Sequence, residues 1–245
     1  MVGALLASAL LLAATVYVAR RGTLVPGRLQ AMVELPIEWI AGIVRGTGGR
    51  RWAEFAGLVI AIFLFVLVAN LIGLLPGVGT IGLVEEGAHG EQTLVPLVRP
   101  AAADLNFTLG LAIIAFVAFV AWGIRANGVV GYLKELLIAE PAYMTPLLTP
   151  IHIISELSRL ISLSMRLFGN VFAGEVLLAV ILALVPLLVP IAFLGLELIF
   201  GFVQALVFAL LTMTYITLAI AEHRQHGSGA GHAGDAPDHT EASPA

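Results

Sequence analysis

The sequence predicts an all-α integral membrane protein with about five transmembrane helices plus an interfacial amphipathic helix, ending in a long helical hairpin. Three observations carry that expectation. Hydrophobic residues make up 60% of the 245, against about 45–50% in an ordinary soluble domain, and charged residues only 11%. Several apolar runs reach spanning length, about 20 residues. The fourth of them is apolar enough to cross a bilayer yet contains Arg166, Asn170 and Glu175. An arginine at mid-membrane costs roughly 2.5 to 3.5 kcal/mol on insertion scales, and its guanidinium cannot escape by losing a proton. Something must offset that cost.

The first run, Val2 to Ala19, is followed at once by Arg20 and Arg21. A secretory signal carries its charge before the apolar run, so this one reads as a true span. At about 18 residues it is near the lower limit for spanning, as expected of a natural N-terminus that extends beyond Met1. Residues 22 to 53 follow, with Arg28, Glu34, Glu38, Arg45, Arg50 and Arg51 among apolar residues. Leu29, Met32, Val33, Pro36, Ile37, Ile40 and Val44 recur at three-to-four spacing, as on a helix lying in the interface. The second span runs from Phe55 to Leu75 and stops at Pro76-Gly77. A Gly- and Pro-rich loop, 76 to 103, holds Glu85, Glu86, His89 and Glu91.

Asp104 introduces the third span, Leu105 to Ile124, as an N-cap. Arg125, Asn127 and Gly128 end it, and a short amphipathic piece, Val129 to Glu140, follows. From Pro150 to Val185 no proline interrupts the chain. A helix of that length is about 54 Å long against a hydrocarbon core of about 30 Å, so it must tilt strongly or project. Pro186 and Pro190 make a reversal, and a fifth span continues to Glu222. The remaining 23 residues, His223 to Ala245, are Gly-, Ala-, Ser- and His-rich and read as disordered.

The cations report topology. Six lie after the first span (Arg20, Arg21, Arg28, Arg45, Arg50, Arg51), one in the next connection (Arg99) and two in the next (Arg125, Lys134). The Pro186–Pro190 reversal has none and the tail has Arg224. The alternation predicts the N-terminus outside and the C-terminus in the cytoplasm. Arg159 and Arg166 are left over.

On a helix turning 100° per residue, with Arg166 at zero, Ser162 lies at about −40°, Ser155 at about −20°, Arg159 at about +20°, and His152 and Asn170 at about +40°. Six polar side chains thus share one stripe, while Glu175 is on the opposite face. On the last helix Glu197, Gln204 and Glu222 share a face. Antiparallel packing is expected to bring Gln204 to the depth of Arg166. Such stripes line water or a protein partner, not lipid. The stripe carries no matching buried anion beside Arg166, so the counter-charge is expected from another chain. Elsewhere soluble-enzyme chemistry has no foothold. The chain lacks cysteine, phosphate-loop, nucleophile-elbow and zinc-helix motifs. The tail histidines 223, 226, 232 and 239 have no regular ligand spacing. No metal or cofactor is expected, and no nucleic acid.

Met165-Arg166-Leu167-Phe168-Gly169-Asn170 followed by Ala173-Gly174-Glu175 resembles the signature of subunit a of F-type (rotary) ATP synthases. Further matches are Asn70-Leu71-Ile72-Gly73-Leu74-Leu75-Pro76, Arg99-Pro100, Ala103-Asp104-Leu105-Asn106-Phe107-Thr108, and Gln204-Ala205-Leu206-Val207-Phe208 with Tyr215-Ile216. The resemblance covers residues 1 to about 222. It implies a strongly tilted terminal hairpin lying against a rotating ring of c-subunits, each with a membrane-embedded carboxylate. Arg166 would face those carboxylates, favour their deprotonated form and separate two aqueous half-channels. Asn170 and Gln204 would be its polar neighbours. Glu175 and Glu197 would line the outer half-channel, with Asp104 and Asn106 near its entrance, while His152, Ser155 and Ser162 would fall toward the cytoplasmic exit. Partners implied are the c-ring, the b-subunit peripheral stalk, the remaining synthase subunits and membrane lipid, in a bacterial-type cell membrane. The chain would not be catalytic alone. Relatives vary between glutamate and histidine at the positions of Glu175 and Glu197; here both are glutamate, and two facing carboxyls could share a proton in a relay. Protons are the default ion, because the groups that choose between sodium and proton lie on the ring.

Plainer roles compete for several residues. Arg166 could be a structural cation on backbone carbonyls, and Glu175, Glu197 and Gln204 could merely bond helix to helix. Arg159 is expected to snorkel to the cytoplasmic interface. Ser155 and Ser162 could be packing residues, Asp104 a cap alone, and Asn70 a helix-packing polar group. As a whole the chain could instead be a secondary transporter binding a small anion at Arg166, but no internal repeat or broken mid-membrane helix supports that. A purely structural scaffold does not need the polar stripe.

Overall fold

A computed structural model of the chain describes residues 2–21, 27–75, 78, 82–86, 92–96, 99–137, 145–185 and 189–221. Glu222 and the 223–245 tail, with its histidines, lie outside the described residues, as does the 186–188 reversal. The architecture is all-α, and five of its helices are long and apolar enough to cross a membrane. The helices are α1 (Val2–Arg21), α2 (Arg28–Thr47), α3 (Trp52–Gly73), α4 (Leu105–Leu137), α5 (Thr145–Leu184) and α6 (Val189–Ala221).

α2 is the amphipathic helix. Its buried Ile40 and Val44 meet Phe55, Val59 and Phe63 of α3, and Arg45 lies 4.9 Å over the Trp52 ring. Gly48 permits the tight turn into α3, since a Cβ there would come within 2.6 Å of the Val44 carbonyl. α3 is the central post: α1, α2 and α6 all pack on it. Trp39, Phe63 and Phe202 bring α2, α3 and α6 together with ring centroids 5.6 to 6.1 Å apart. α4 is sandwiched between α5 and α6 and breaks at Gly128, whose positive φ of 74° is open to glycine at little steric cost. The expected end of the third span therefore falls at a real change of direction.

Two features depart from expectation. The loop 76 to 103 contains an antiparallel hairpin, β1 (Gly82–Glu86) on β2 (Gln92–Pro96), with Val84 opposite Leu94, and then a 3-10 turn, Ala101–Ala103. And α5 begins at Thr145, not Pro150. Pro146 is in the first turn, where the N–H groups lack helical partners anyway. Pro150 forfeits only the bond to the residue 146 carbonyl. The helix is then 40 residues, about 60 Å.

α5 makes the least use of the core. Among its described side chains only Leu163, Ser164, Leu167 and Val171 are buried. That narrow seam lies about 60° to 160° round the helix from Arg166. On the Arg166 side, His152, Ser155, Ser162 and Arg166 are exposed, while Arg159 and Asn170 are half-buried.

Candidate functional site

The candidate site occupies the two faces of α5 and the facing edge of α6. Two contacts set the antiparallel register. Asn170 Nδ2 donates to the Phe200 carbonyl at 3.4 Å, and Glu197 lies against Gly174. The paired numbers sum to 170 + 200 = 370 and 174 + 197 = 371, which places Arg166 level with residues 204 and 205. The expected depth match with Gln204 is present. The two side chains nonetheless point apart: Gln204 is 7% exposed, and Arg166 is on the outer surface.

Arg166 is at the middle of the α5 span, since (149 + 184)/2 = 166.5. It makes no ion pair or hydrogen bond among the described residues. Ser155, Ser162 and His152 are exposed on the same side. They therefore do not pack this chain's helices together. The serine that does is Ser164, 1% exposed, whose hydroxyl lies 3.2 Å from that of the fully buried Thr108 on α4. It lies about 160° round the helix from Arg166, on the face away from the polar stripe, and so was not singled out in the sequence. Apolar side chains border the stripe, among them Ile161, Met165 and Phe172, each 40% exposed or more. Phe168 and Phe172 stack at 5.3 Å.

Arg159 is held by neighbours within the fold. Its guanidinium lies 3.0 Å from Glu156 and over the rings of Tyr215 (4.4 Å) and Phe119 (5.8 Å). Aromatic faces on α4 and α6 and one carboxylate one turn away hold this cation in place, partners that the snorkelling expectation did not include.

The other face of the hairpin carries the acids. Glu175 Oε2 is 3.5 Å from Arg99 Nη2, a pairing sequence reasoning missed. Arg99 entered there as the single cation of its connection and within the Arg99-Pro100 match, with no partner assigned to it. Glu197 is packed on the α5 backbone: a Cβ at Gly174 would meet its Oε1 at 2.6 Å and its Cδ at 3.0 Å. The two carboxyls are near enough to interact electrostatically. Replacing Gly174 by alanine must therefore displace the Glu197 carboxyl. Gly174→Ala is expected to destabilise the fold by about 1 to 3 kcal/mol, the range for added bulk in a packed contact, read as a lower thermal midpoint in detergent. An unchanged midpoint would show that the Glu197 side chain moves aside without cost.

Next to these acids, Asn70, Gly73, Pro100, Asn170, Glu197 and Gly201 line a small cleft with room for about one water molecule. Asn70 Nδ2 donates to the Gly201 carbonyl at 3.0 Å, the helix-packing role expected of it, while its Oδ1 and the Gln204 Nε2 are buried without a partner among the described residues. Asp104 caps α4 as expected, its Oδ1 accepting from the Asn106 N–H at 2.9 Å. The Asn106 side chain is exposed beside it. No group of three metal-ligating side chains occurs among the described residues.

The arrangement offers two polar approaches to Arg166 from opposite ends and different faces of α5. Glu175 is about 13 Å along the axis toward the hairpin reversal, and Ser155 about 16 Å the other way.

The family model "ATP synthase A chain" matches residues 1–217. A protein of Syntrophotalea carbinolica named ATP synthase subunit a 2 is 36% identical over 217 residues, covering 89% of this chain and 83% of its own length. The ATP synthase subunit a of Gluconobacter oxydans is 38% identical, covering 82% of this chain and 80% of its own. That of Mycobacterium ulcerans is also 38% identical, covering 83% and 78%.

Proposed function

From the premise that the chain belongs to the ATP synthase A chain family, and so is a multi-pass, proton-translocating component of an ATP synthase complex and not a catalytic subunit alone, we propose that it is the stator-side half of the proton path. In this reading Arg166 faces the carboxylates of a rotating c-ring and couples proton flow to rotation. The observation that carries it is a mid-span guanidinium, exposed on the outside of its own chain and unpaired among the described residues. Burying such a charge against lipid is costly; meeting a passing carboxylate removes that cost.

Each residue then has a task. A ring carboxylate arriving opposite Arg166 is favoured as the anion, because an adjacent positive charge stabilises the deprotonated form. The proton it releases leaves along Ser162, Ser155 and His152 toward the cytoplasm. Past Arg166 the emptied carboxylate is reloaded from the outer side, where Glu197 and Glu175 lie, with Asp104 and Asn106 at the entrance. Asn170 and the buried Gln204 set the polarity beside Arg166. Because the approaches are offset, the ring must turn for a proton to pass. The b-subunit stalk would hold this chain still against the ring. The membrane is the cell membrane of a bacterial-type cell, with the N-terminus outside and the C-terminus in the cytoplasm.

The test is association. Purified through a tag on this chain in mild detergent, the complex is expected to contain a c-ring in constant ratio. A chain that purifies alone and moves a small anion in vesicles would replace this reading with a transporter.

A further inference from the structure

Glu175 and Glu197 are neighbours with unlike surroundings. The Glu175 carboxyl is ion-paired with Arg99, at 3.5 Å, and its side chain is 25% exposed. Glu197 makes no hydrogen bond or ion pair among the described residues, and a glycine is what lets its carboxyl rest on α5. The Arg99 side chain is 57% exposed, but its backbone is clamped. A Cβ on Gly3 of α1 would come within 2.6 Å of the Arg99 carbonyl, and one on Gly73 of α3 within 2.9 Å of the Pro100 ring. The guanidinium thus springs from a fixed point at the junction of three elements. An exposed ion pair between two mobile chains is worth little, but here one partner has a rigid base and the other is partly withdrawn from water.

We infer that the two carboxyls divide the outer pathway: Arg99 is a positioning residue that ties Glu175 down as a fixed counter-charge at the mouth, and Glu197 carries the proton inward. The division rests on the proton-path reading above. It removes the need for a shared proton between the two acids. It also explains why both can be glutamate, since one of them is matched by a cation.

The experiment uses the complete synthase in inverted membrane vesicles, with ATP-driven proton pumping normalised to assembled complex. Arg99→Glu and Glu175→Arg are each expected to lower pumping about tenfold, in the range of coupled contact pairs. The charge swap carrying both changes is expected to recover most of that loss, and Arg99→Lys to recover more than Arg99→Gln. A structural role for the loop alone does not predict recovery on reversal of charge. A swap no faster than the slower single variant overturns the pairing, as does a wild-type rate in Arg99→Glu. The neutral pair Arg99→Gln with Glu175→Gln is expected to pump faster than Glu197→Gln; the opposite order overturns the division of labour. If the single variants do not assemble, that last comparison decides. Retained synthesis in Arg166→Ala would instead sink the proton-path reading, whereas its loss beside wild-type rates in the Arg99 variants sinks only this inference.

Discussion

Arg166→Ala is expected to abolish proton-driven ATP synthesis in the reconstituted synthase, by about 10²- to 10³-fold or more, the effect of removing one preorganised charge from the place where charge develops. The substitution removes little packing, because the side chain is exposed. Assembly should therefore persist, and a native gel would show the chain still with its ring. A second readout separates the two jobs assigned to the guanidinium. If it also keeps the half-channels apart, vesicles bearing Arg166→Ala should lose a proton gradient faster than wild type. Proton-driven synthesis at the wild-type rate would falsify the assignment outright.

Glu197→Gln is expected to slow proton uptake from the outer side about a hundredfold, the usual contribution of one proton-transfer group. Glutamine keeps the shape that rests on Gly174 but does not exchange a proton. Assembly and ATP hydrolysis by the soluble sector should be retained, and the passive proton flux of vesicles stripped of that sector is the direct measurement. An unchanged flux would remove Glu197 from the path. It would also leave Glu175, tied to Arg99, as the remaining acid of that face.

How much of this was legible in the sequence differs from residue to residue. The spans were, because a bilayer demands long apolar helices and the chain marks their ends with Pro76-Gly77, Asp104 and Gly128. The polar stripe through Arg166 was legible from angular spacing alone. Which way it faced was not. In a membrane helix both the packed and the lipid-facing sides are apolar, so hydropathy could not distinguish the seam of Leu163, Leu167 and Val171 from the outward Ile161, Met165 and Phe172. Ser164 and Ser162 look alike in the sequence; one is 1% exposed against Thr108, the other on the surface. Proline reads as a helix boundary, which puts the expected start at Pro150, yet one lost hydrogen bond near the end of a 40-residue helix is a small defect. The partners of Arg159 were not legible, because Tyr215 and Phe119, which supply its aromatic faces, are 56 and 40 residues away in the chain.

The sequence by itself determined that this is a polytopic α-helical membrane protein with an arginine in the middle of its fourth apolar run, and its motifs named the family. Those conclusions follow from local quantities: apolar run length, breaker residues, angular spacing and the cost of a charge in hydrocarbon. Only the tertiary structure decided that Gln204 is level with Arg166 but turned inward, that Gly174 makes room for Glu197, and that Arg99 claims Glu175. Each of these depends on the axial register of two helices or on a contact between distant segments. Register is set by the sum of many packing contacts, which no single stretch of the chain contains.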